Sequence, residues 1–411
     1  MHIADIGSAL GFSFWQNCWG EGILLEIEKK GIARMKVSVL QENLAAGLGI
    51  VSRAVSPRST LPVLANVLVA SDGGRLRLSA TNLELGITCW IGAKIEEEGS
   101  TTVPARTFAD LVSTLPNGQV DMDLAVRTQT LHVSSGASNT DIKCIDAQEF
   151  PPMPAPDLNG GIELNISDLK DMIRQVVFAA SHDDARPVLT GILVNIEGNR
   201  ITMAAADGFR LSVRTAEISE PVSAPVTAII PARALGELAR IAGDGDENAK
   251  MLFPPGRGQV IFSMKDIELT SQLIEGNFPE YNQIIPTGHN TRTILSTDAF
   301  LKACKQAEIF AREGSHIARL NVTPGSDSQP GVVEISAQSE ETGSSETVVD
   351  ATIEGDSVLI AFNVRYLREV LDVVGTPNVA LETLAAAAPG VIRPLGEDDF
   401  LHVIMPMHLG N

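Results

Sequence analysis

Apolar positions recur at helical spacing in three well-separated stretches of the chain: Leu40, Leu44, Leu48 and Val51; then Leu169, Ile173, Val176 and Val177 after a Ser167-Asp168 start signal; then Phe300, Leu301 and Cys304 after Ser296-Thr297-Asp298. Each stretch predicts an amphipathic helix. A second helix is expected later in each, starting at the proline or asparagine of a marker and ending where glycine and proline stop it, near Pro116-Asn117-Gly118, Gly243-Asp244-Gly245 and Gly375-Thr376-Pro377. Between and after the helices the chain reads as strands, such as Leu76–Ala80, Gln259–Ser263 and Val332–Ser336. Two helices and several antiparallel strands per stretch predict an α+β layout.

The pattern is one module used three times. Val103-Pro104-Ala105-Arg106-Thr107-Phe108 is answered by Ile230-Pro231-Ala232-Arg233-Ala234-Leu235 and, more loosely, by Phe362-Asn363-Val364-Arg365-Tyr366-Leu367, with the arginines 127 and 132 positions apart. Pro62-Val63-Leu64 returns 125 positions on as Pro187-Val188-Leu189, and Phe150-Pro151 returns 128 on as Phe278-Pro279. So long a period excludes a solenoid and fits a duplicated globular domain. Pro151–Pro156 with Gly160-Gly161, and Pro286–Asn290, read as joints, whereas Pro324–Gly331 reads as a loop inside the third copy. The expected domains are therefore 35–160, 161–286 and 287–411.

Residues 1–34 stand outside the repeat. Their basic residues Lys29, Lys30 and Arg34 follow the apolar stretch, which is not the layout of a signal peptide. Lys29-Lys30-Gly31 is what a purine-rich ribosome-binding site would spell if translated, so Met35 is the expected biological start.

Composition narrows the function. With 44% hydrophobic and 20% charged residues over 411 positions, a globular chain of about three domains is expected, without an apolar run long enough for a membrane span. Cys18, Cys89, Cys144 and Cys304 form no close pair, and the seven histidines are scattered, so neither a disulfide framework nor a metal site is expected. No cofactor is expected, and the cytoplasm is the expected compartment. A nucleotide-binding or Walker-type loop is missing; Asp244–Glu247 lacks calcium-loop spacing, and His182-Asp183-Asp184 has no partner placed by the sequence. The net charge of −20 by itself argues against nucleic acid.

Four further motifs change that picture: Arg58-Ser59-Thr60-Leu61-Pro62-Val63-Leu64, Ala206-Asp207-Gly208-Phe209-Arg210-Leu211, Phe278-Pro279-Glu280-Tyr281, and Met405-Pro406-Met407-His408-Leu409. In this order and spacing, with the threefold plan, Met35–Leu409 resembles the bacterial DNA polymerase III beta subunit, the sliding clamp. The resemblance implies three clamp-type domains per chain, dimerising into a six-domain ring that encircles double-stranded DNA without sequence preference. Such a protein is not an enzyme. Encirclement needs little affinity, so an acidic chain can serve DNA if basic residues face inward.

Lys170 and Arg174 are four apart on one expected helix, Lys302 and Lys305 lie on another, and Arg106, Arg233, Arg240, Arg365 and Arg368 sit on the later helices. These are the candidate DNA contacts, with ordinary solvated faces as the alternative. The resemblance adds Arg58 and His182, while Asp183 suits a phosphate less well than an amide would.

The resemblance also implies a groove for short peptides carried by the DNA polymerase III catalytic subunit, the clamp loader, and other polymerases and repair proteins. Its implied residues begin with Leu189, Ala206, Gly208, Phe209, Arg210 and Leu211. They continue through Pro279, Gln283, Ile284, Asn363 and Tyr366 to the tail Val403, Ile404, Met405, Pro406 and Met407. Methionine and proline make an adaptable apolar pocket, and Arg210 and Asn363 are expected to pair with the peptide. Phe209, Gln283 and His408 depart from the residues common at these places, which bears on peptide preference. Ring closure in a homodimer joins the first module of one subunit to the third of the other, with Ile142, Ile309 and Phe310 as the apolar candidates. Two other readings stay open: a scaffold of the same fold that does not encircle DNA, and an enzyme using His182 or Asp184.

Overall fold

The computed structural model describes residues 35–56, 60–154, 160–243, 247–313, 315–326 and 329–408. They form two compact units, one of residues up to Pro152 apart from Glu84–Gly86, the other of Glu84–Gly86 with Met153 onward.

In the first unit, helices α1 (Gln41–Val51) and α2 (Ala105–Thr114) pack together, burying Leu44, Leu48 and Val51 from one and Phe108 and Val112 from the other. The buried Gln41 amide donates to the Val112 carbonyl at 2.8 Å, tying the start of α1 to α2. Leu40 does not belong to the helical stripe. It ends the strand Lys36–Leu40 in extended conformation, opposite Gln119, and is exposed. One antiparallel run orders Ser138–Lys143, Thr130–Ser135, Gln119–Ala125, Lys36–Leu40 and Leu85–Glu97; Arg75–Thr81, Asn66–Asp72 and Ser100–Pro104 continue from it. Gln119–Ala125 buries Val120, Met122 and Leu124 and exposes the alternate polar residues, the period-two pattern of a half-buried strand.

The second unit carries α3 (Ile166–Val176), α4 (Ala232–Ile241), α5 (Thr297–Ala311) and α6 (Val364–Leu371), with α3 against α4 and α5 against α6. Helix α3 starts earlier than Ser167-Asp168 suggests, because Asn165 is the cap: its side-chain oxygen accepts from the backbone N–H groups of both residues. Ser296 caps α5 and Asn363 caps α6 in the same way. Pro104 and Pro231 precede α2 and α4, as the repeated marker implies.

A twelve-stranded antiparallel sheet spans the second and third modules. Its central seam pairs Arg210–Glu217 with Phe400–Ile404, in register Arg210↔Ile404, Leu211↔Val403 and Ser212↔His402. That shared ladder is why two modules make one compact unit. A second run orders Ile162–Asn165, Asn248–Leu252, Gln259–Ser263 and Ile267–Gln272. Over the third module Phe300, Ala303, Cys304, Ala307 and Ala311 line one face of α5, and with Phe362, Leu367 and Phe400 they build the core. The small residues let the helix approach the sheet, and each buried phenylalanine contributes about 1.5–3 kcal/mol.

Candidate functional site

The turn Ala206-Asp207-Gly208-Phe209-Arg210 sets the geometry beside the seam. The Asp207 carboxylate accepts the backbone N–H groups of Phe209 at 2.8 Å and Arg210 at 3.1 Å, an Asx turn. Gly208 has φ +95°, where a side chain would be strained. As a result the Phe209 ring is turned outward, 57% exposed, while Arg210 is folded inward, 8% exposed.

Each nitrogen of the Arg210 guanidinium is engaged inside the protein. It pairs with Asp207 at 3.0 Å and with Glu369 of α6, donates to the Phe178 carbonyl at 2.6 Å, and lies over the rings of Tyr366 at 4.1 Å and Phe178 at 5.4 Å. Where the sequence led to the expectation that Arg210 pairs with a peptide, the structure has it engaged inside the protein, bracing a strand of one module against a helix of the next. Burial pushes the Glu369 carboxyl pKa up, but hydrogen bonds from Arg210 and Arg365 outweigh it and hold the group below the ordinary carboxylate range.

Around this brace the implied groove residues separate into floor and rim. Ala206, Leu211 and Val403 are buried in one apolar cluster, with Phe278 and Tyr281 packed at its edge. Ile404 is buried in the third module's core. Ala206, Leu211, Val403 and Ile404 thus lie beneath the surface. Phe209, Gly208, Pro279, Gln283, Ile284 and Met405 are exposed; Leu189, Asn363, Tyr366, Pro406 and Met407 are half-buried. The tail is pinned, since Met405 N–H donates to the Phe209 carbonyl and Met407 N–H to that of Ala361, both at 2.8 Å. A Cβ on Gly276 would lie 2.8 Å from Val188, so the segment before Phe278 runs against the turn Pro187–Thr190 that carries Leu189. The Asn363 oxygen accepts from Arg365 N–H as the α6 cap, leaving its amide nitrogen as the group to face a ligand.

His402 sits under the seam, fully buried, with Nδ1 2.6 Å from the Ser212 hydroxyl and its ring 5.3 Å from that of Phe178. Its Nε2 has no hydrogen-bond partner among the described residues. Burial, and then the Arg210 charge, drive its pKa well below the ordinary histidine value. Among groups the sequence did not single out, Phe178 and Glu369 are the ones the brace uses. Glu369 was within reach of sequence reasoning, lying four residues after Arg365 on one helix face; nothing local marks Phe178.

Four of the expected DNA contacts on α3 and α4, and His182 on the loop after α3, come together. Lys170, Arg174, His182, Arg233 and Arg240 line one open depression of about 830 Å³, alongside Asp171, Asp184 and Glu237. Arg174 is exposed and has no ion partner among the described residues. Lys170 donates to the carbonyls of Ala242 and Gly243, and Arg240 pairs with Glu237 at 2.8 Å. Asp183 organises its own loop, accepting from Ala185 N–H and pairing with Arg186.

The third module's cations are more heavily neutralised. Lys302 is exposed, but Lys305 pairs with Asp372 at 2.9 Å and Arg365 with Glu369 at 2.8 Å. Arg368 is half-buried and engaged by Glu308 at 2.7 Å and by Glu369 and Asp372, bracing α6 against α5. Arg106 is exposed on α2, near Asp110. Arg58 lies outside the described residues.

Of the apolar residues expected at a subunit contact, Ile142 is corrected, because it is 5% exposed and packs inward opposite Leu131. Phe310 packs against the third module's core, while Ile309 is 59% exposed. Among the described residues no helix is long and apolar enough to cross a membrane.

Sequence models of the DNA polymerase III beta subunit match three consecutive blocks of the chain: the N-terminal domain at residues 35–154, the central domain at 163–280 and the C-terminal domain at 282–408. The chain belongs to the DNA polymerase III beta subunit family. The beta sliding clamp of Synechococcus elongatus is 34% identical over 379 residues, covering 91% of this chain and 100% of the relative. That of Staphylococcus aureus is 30% identical over 382 residues, covering 91% and 99%. The crystal structure of the Bacillus subtilis sliding clamp superposes with a TM-score of 0.86 at 28% identity, over 92% of this chain and 100% of that one. A Pseudomonas aeruginosa clamp bound to griselimycin gives 0.83 at 28% identity, over 91% and 100%. The protein is a beta clamp of three clamp domains, a processivity factor for DNA polymerases and not an enzyme.

Proposed function

We propose that two copies of this chain close into a ring around duplex DNA, that the α3–α4 depression is part of the DNA-facing surface, and that the seam of the second and third modules is the partner groove. The convergence of Lys170, Arg174, His182, Arg233 and Arg240 on one depression carries the reading. Four cations on two packed helices, with His182 on the loop that follows α3, share the depression with Glu84, Asp171, Asp184 and Glu237, so charge there is locally balanced within a chain of net charge −20. Lys302, Lys305 and Arg365 on the third module's helices, and Arg106 on α2 of the first unit, are the further candidate DNA contacts. With the acids beside them, they favour loose contact with phosphate over tight binding, which suits a sliding ring.

The groove is formed by the exposed rim, with Phe209, Ile284 and Met405 as its apolar anchors and Tyr366 and Asn363 as its polar wall. Its ligands are short peptides of the polymerase III catalytic subunit, the clamp loader, and other polymerases and repair proteins. Holding such a peptide near DNA raises the effective concentration of its polymerase at the template. Ile309 is the apolar candidate for the head-to-tail subunit contact, the domains run 35–160, 161–286 and 287–411, and the site of action is the cytoplasm.

Mass in solution combined with peptide binding tests this reading. A dimer that binds a clamp-binding peptide, and loses it when Met405–Asn411 are removed, is expected; a strict monomer without peptide binding would refute it.

A further inference from the structure

Glu369 is a single carboxylate hydrogen-bonded to two arginines of opposite character, with Arg368 at 3.8 Å beside the oxygen that Arg365 uses. One oxygen accepts from Arg210 and the other from Arg365, at 2.8 Å. The Arg210 side chain is 6% exposed and cannot leave, whereas that of Arg365 is 54% exposed and can be drawn off by a phosphate. Arg210 in turn lies over the Tyr366 ring and directly follows Phe209, so its position sets two walls of the groove.

We propose that Arg210 is a positioning residue for the partner groove and that Glu369, shared between Arg210 and Arg365, couples peptide binding to DNA engagement. This rests on the reading of the groove and of Arg365 as DNA-facing. Two guanidiniums held on one carboxylate repel each other, which offsets part of the attraction Glu369 exerts on each. When Arg365 turns to a phosphate, its repulsion of Arg210 is relieved, the guanidinium is held more firmly over Tyr366, and the groove wall is set for peptide. DNA and peptide then favour each other, and the coupling is reciprocal by linkage. A clamp on DNA thereby holds its partners more tightly than a free one.

A double-mutant cycle reads this directly. A fluorescent peptide carrying the clamp-binding segment of the polymerase III catalytic subunit is titrated by anisotropy against wild type, Arg365→Ala, Glu369→Gln and the double variant, and against wild type loaded on nicked circular DNA. Arg365→Ala and DNA loading should each tighten binding about threefold or more. Glu369→Gln should weaken it, and Arg365→Ala should have no effect in the Glu369→Gln background. Equal affinities for wild type and Arg365→Ala, or the same change in both backgrounds, would overturn the coupling. Absence of peptide binding to wild type would instead refute the groove. A thermal midpoint is recorded for each variant, and if Glu369→Gln does not fold, Arg210→Lys takes its place in the cycle.

Discussion

The Arg210 guanidinium lies 4.1 Å from the centre of the Tyr366 ring, stacking a strand of the central module on helix α6 of the last. Because the same group pairs with Asp207 and Glu369 where both are largely shielded from water, truncation leaves Asp207 without its cation and Glu369 with only Arg365 and Arg368. Arg210→Ala should lose about 3–5 kcal/mol of stability, the usual cost of breaking a buried ion pair. Arg210→Lys should recover only part of it, since an ammonium cannot fork between the partners or stack on the ring. Denaturant melts of both variants check the order.

His402 makes the seam sensitive to acid. Its pKa in the folded protein lies well below that of an exposed histidine, first through burial and then through Arg210. The unfolded chain therefore binds the proton more readily than the folded one. The stability from the neutral ring is complete above the unfolded value of about 6.5 and is lost as pH falls from there toward the folded value, by about 1.4 kcal/mol per unit of displacement. Glu369 acts in the same direction at lower pH: its lowered pKa confers stability above the ordinary carboxylate value, lost as pH falls through the folded one. Thermal midpoints from pH 7.5 to 5 should fall for wild type and fall less for His402→Gln; a flat wild-type profile would contradict the buried neutral ring.

Phe209 and Met405 are exposed apolar residues at the rim of the proposed groove. Phe209→Ala should leave stability within about 0.5 kcal/mol, as is usual at the surface, yet weaken peptide binding by about 1–2 kcal/mol, as for an interface anchor. Paired melts and anisotropy titrations separate the two effects.

Arg174 lines the α3–α4 depression without an ion partner among the described residues. Arg174→Ala should weaken binding to duplex DNA of any sequence and reduce the slope of log K against log salt by about 1. Arg368→Ala should instead change stability more than the salt slope, because its charge is spent on Glu308, Glu369 and Asp372. Filter binding across a salt series distinguishes them.

The repeat made the architecture legible in the sequence, because helix markers at matched offsets reflect local rules: a proline or polar cap, an apolar stripe, a glycine stop. The second helix of each module begins where its marker implies. Boundaries set by tertiary pairing were less visible, as Leu40 and Asn165 show: one is held by a sheet register and the other caps two residues ahead of the expected signal. In the site, a residue's type pointed to charge or apolarity but not to its exposure. Arg210, Arg368 and Ile142 carry the chemistry expected of contacts and spend it internally, because partners distant in sequence, Glu369, Glu308 and Leu131 among them, reach them first.

The central claim is that DNA is held by encirclement. It is tested most directly by loading the protein onto a nicked circular plasmid with a bacterial clamp loader, isolating the complex by gel filtration, and cutting the plasmid once. The account predicts that the protein stays with the circle through the column and is released on linearisation. Equal retention before and after the cut, or no retention on the circle, would contradict it.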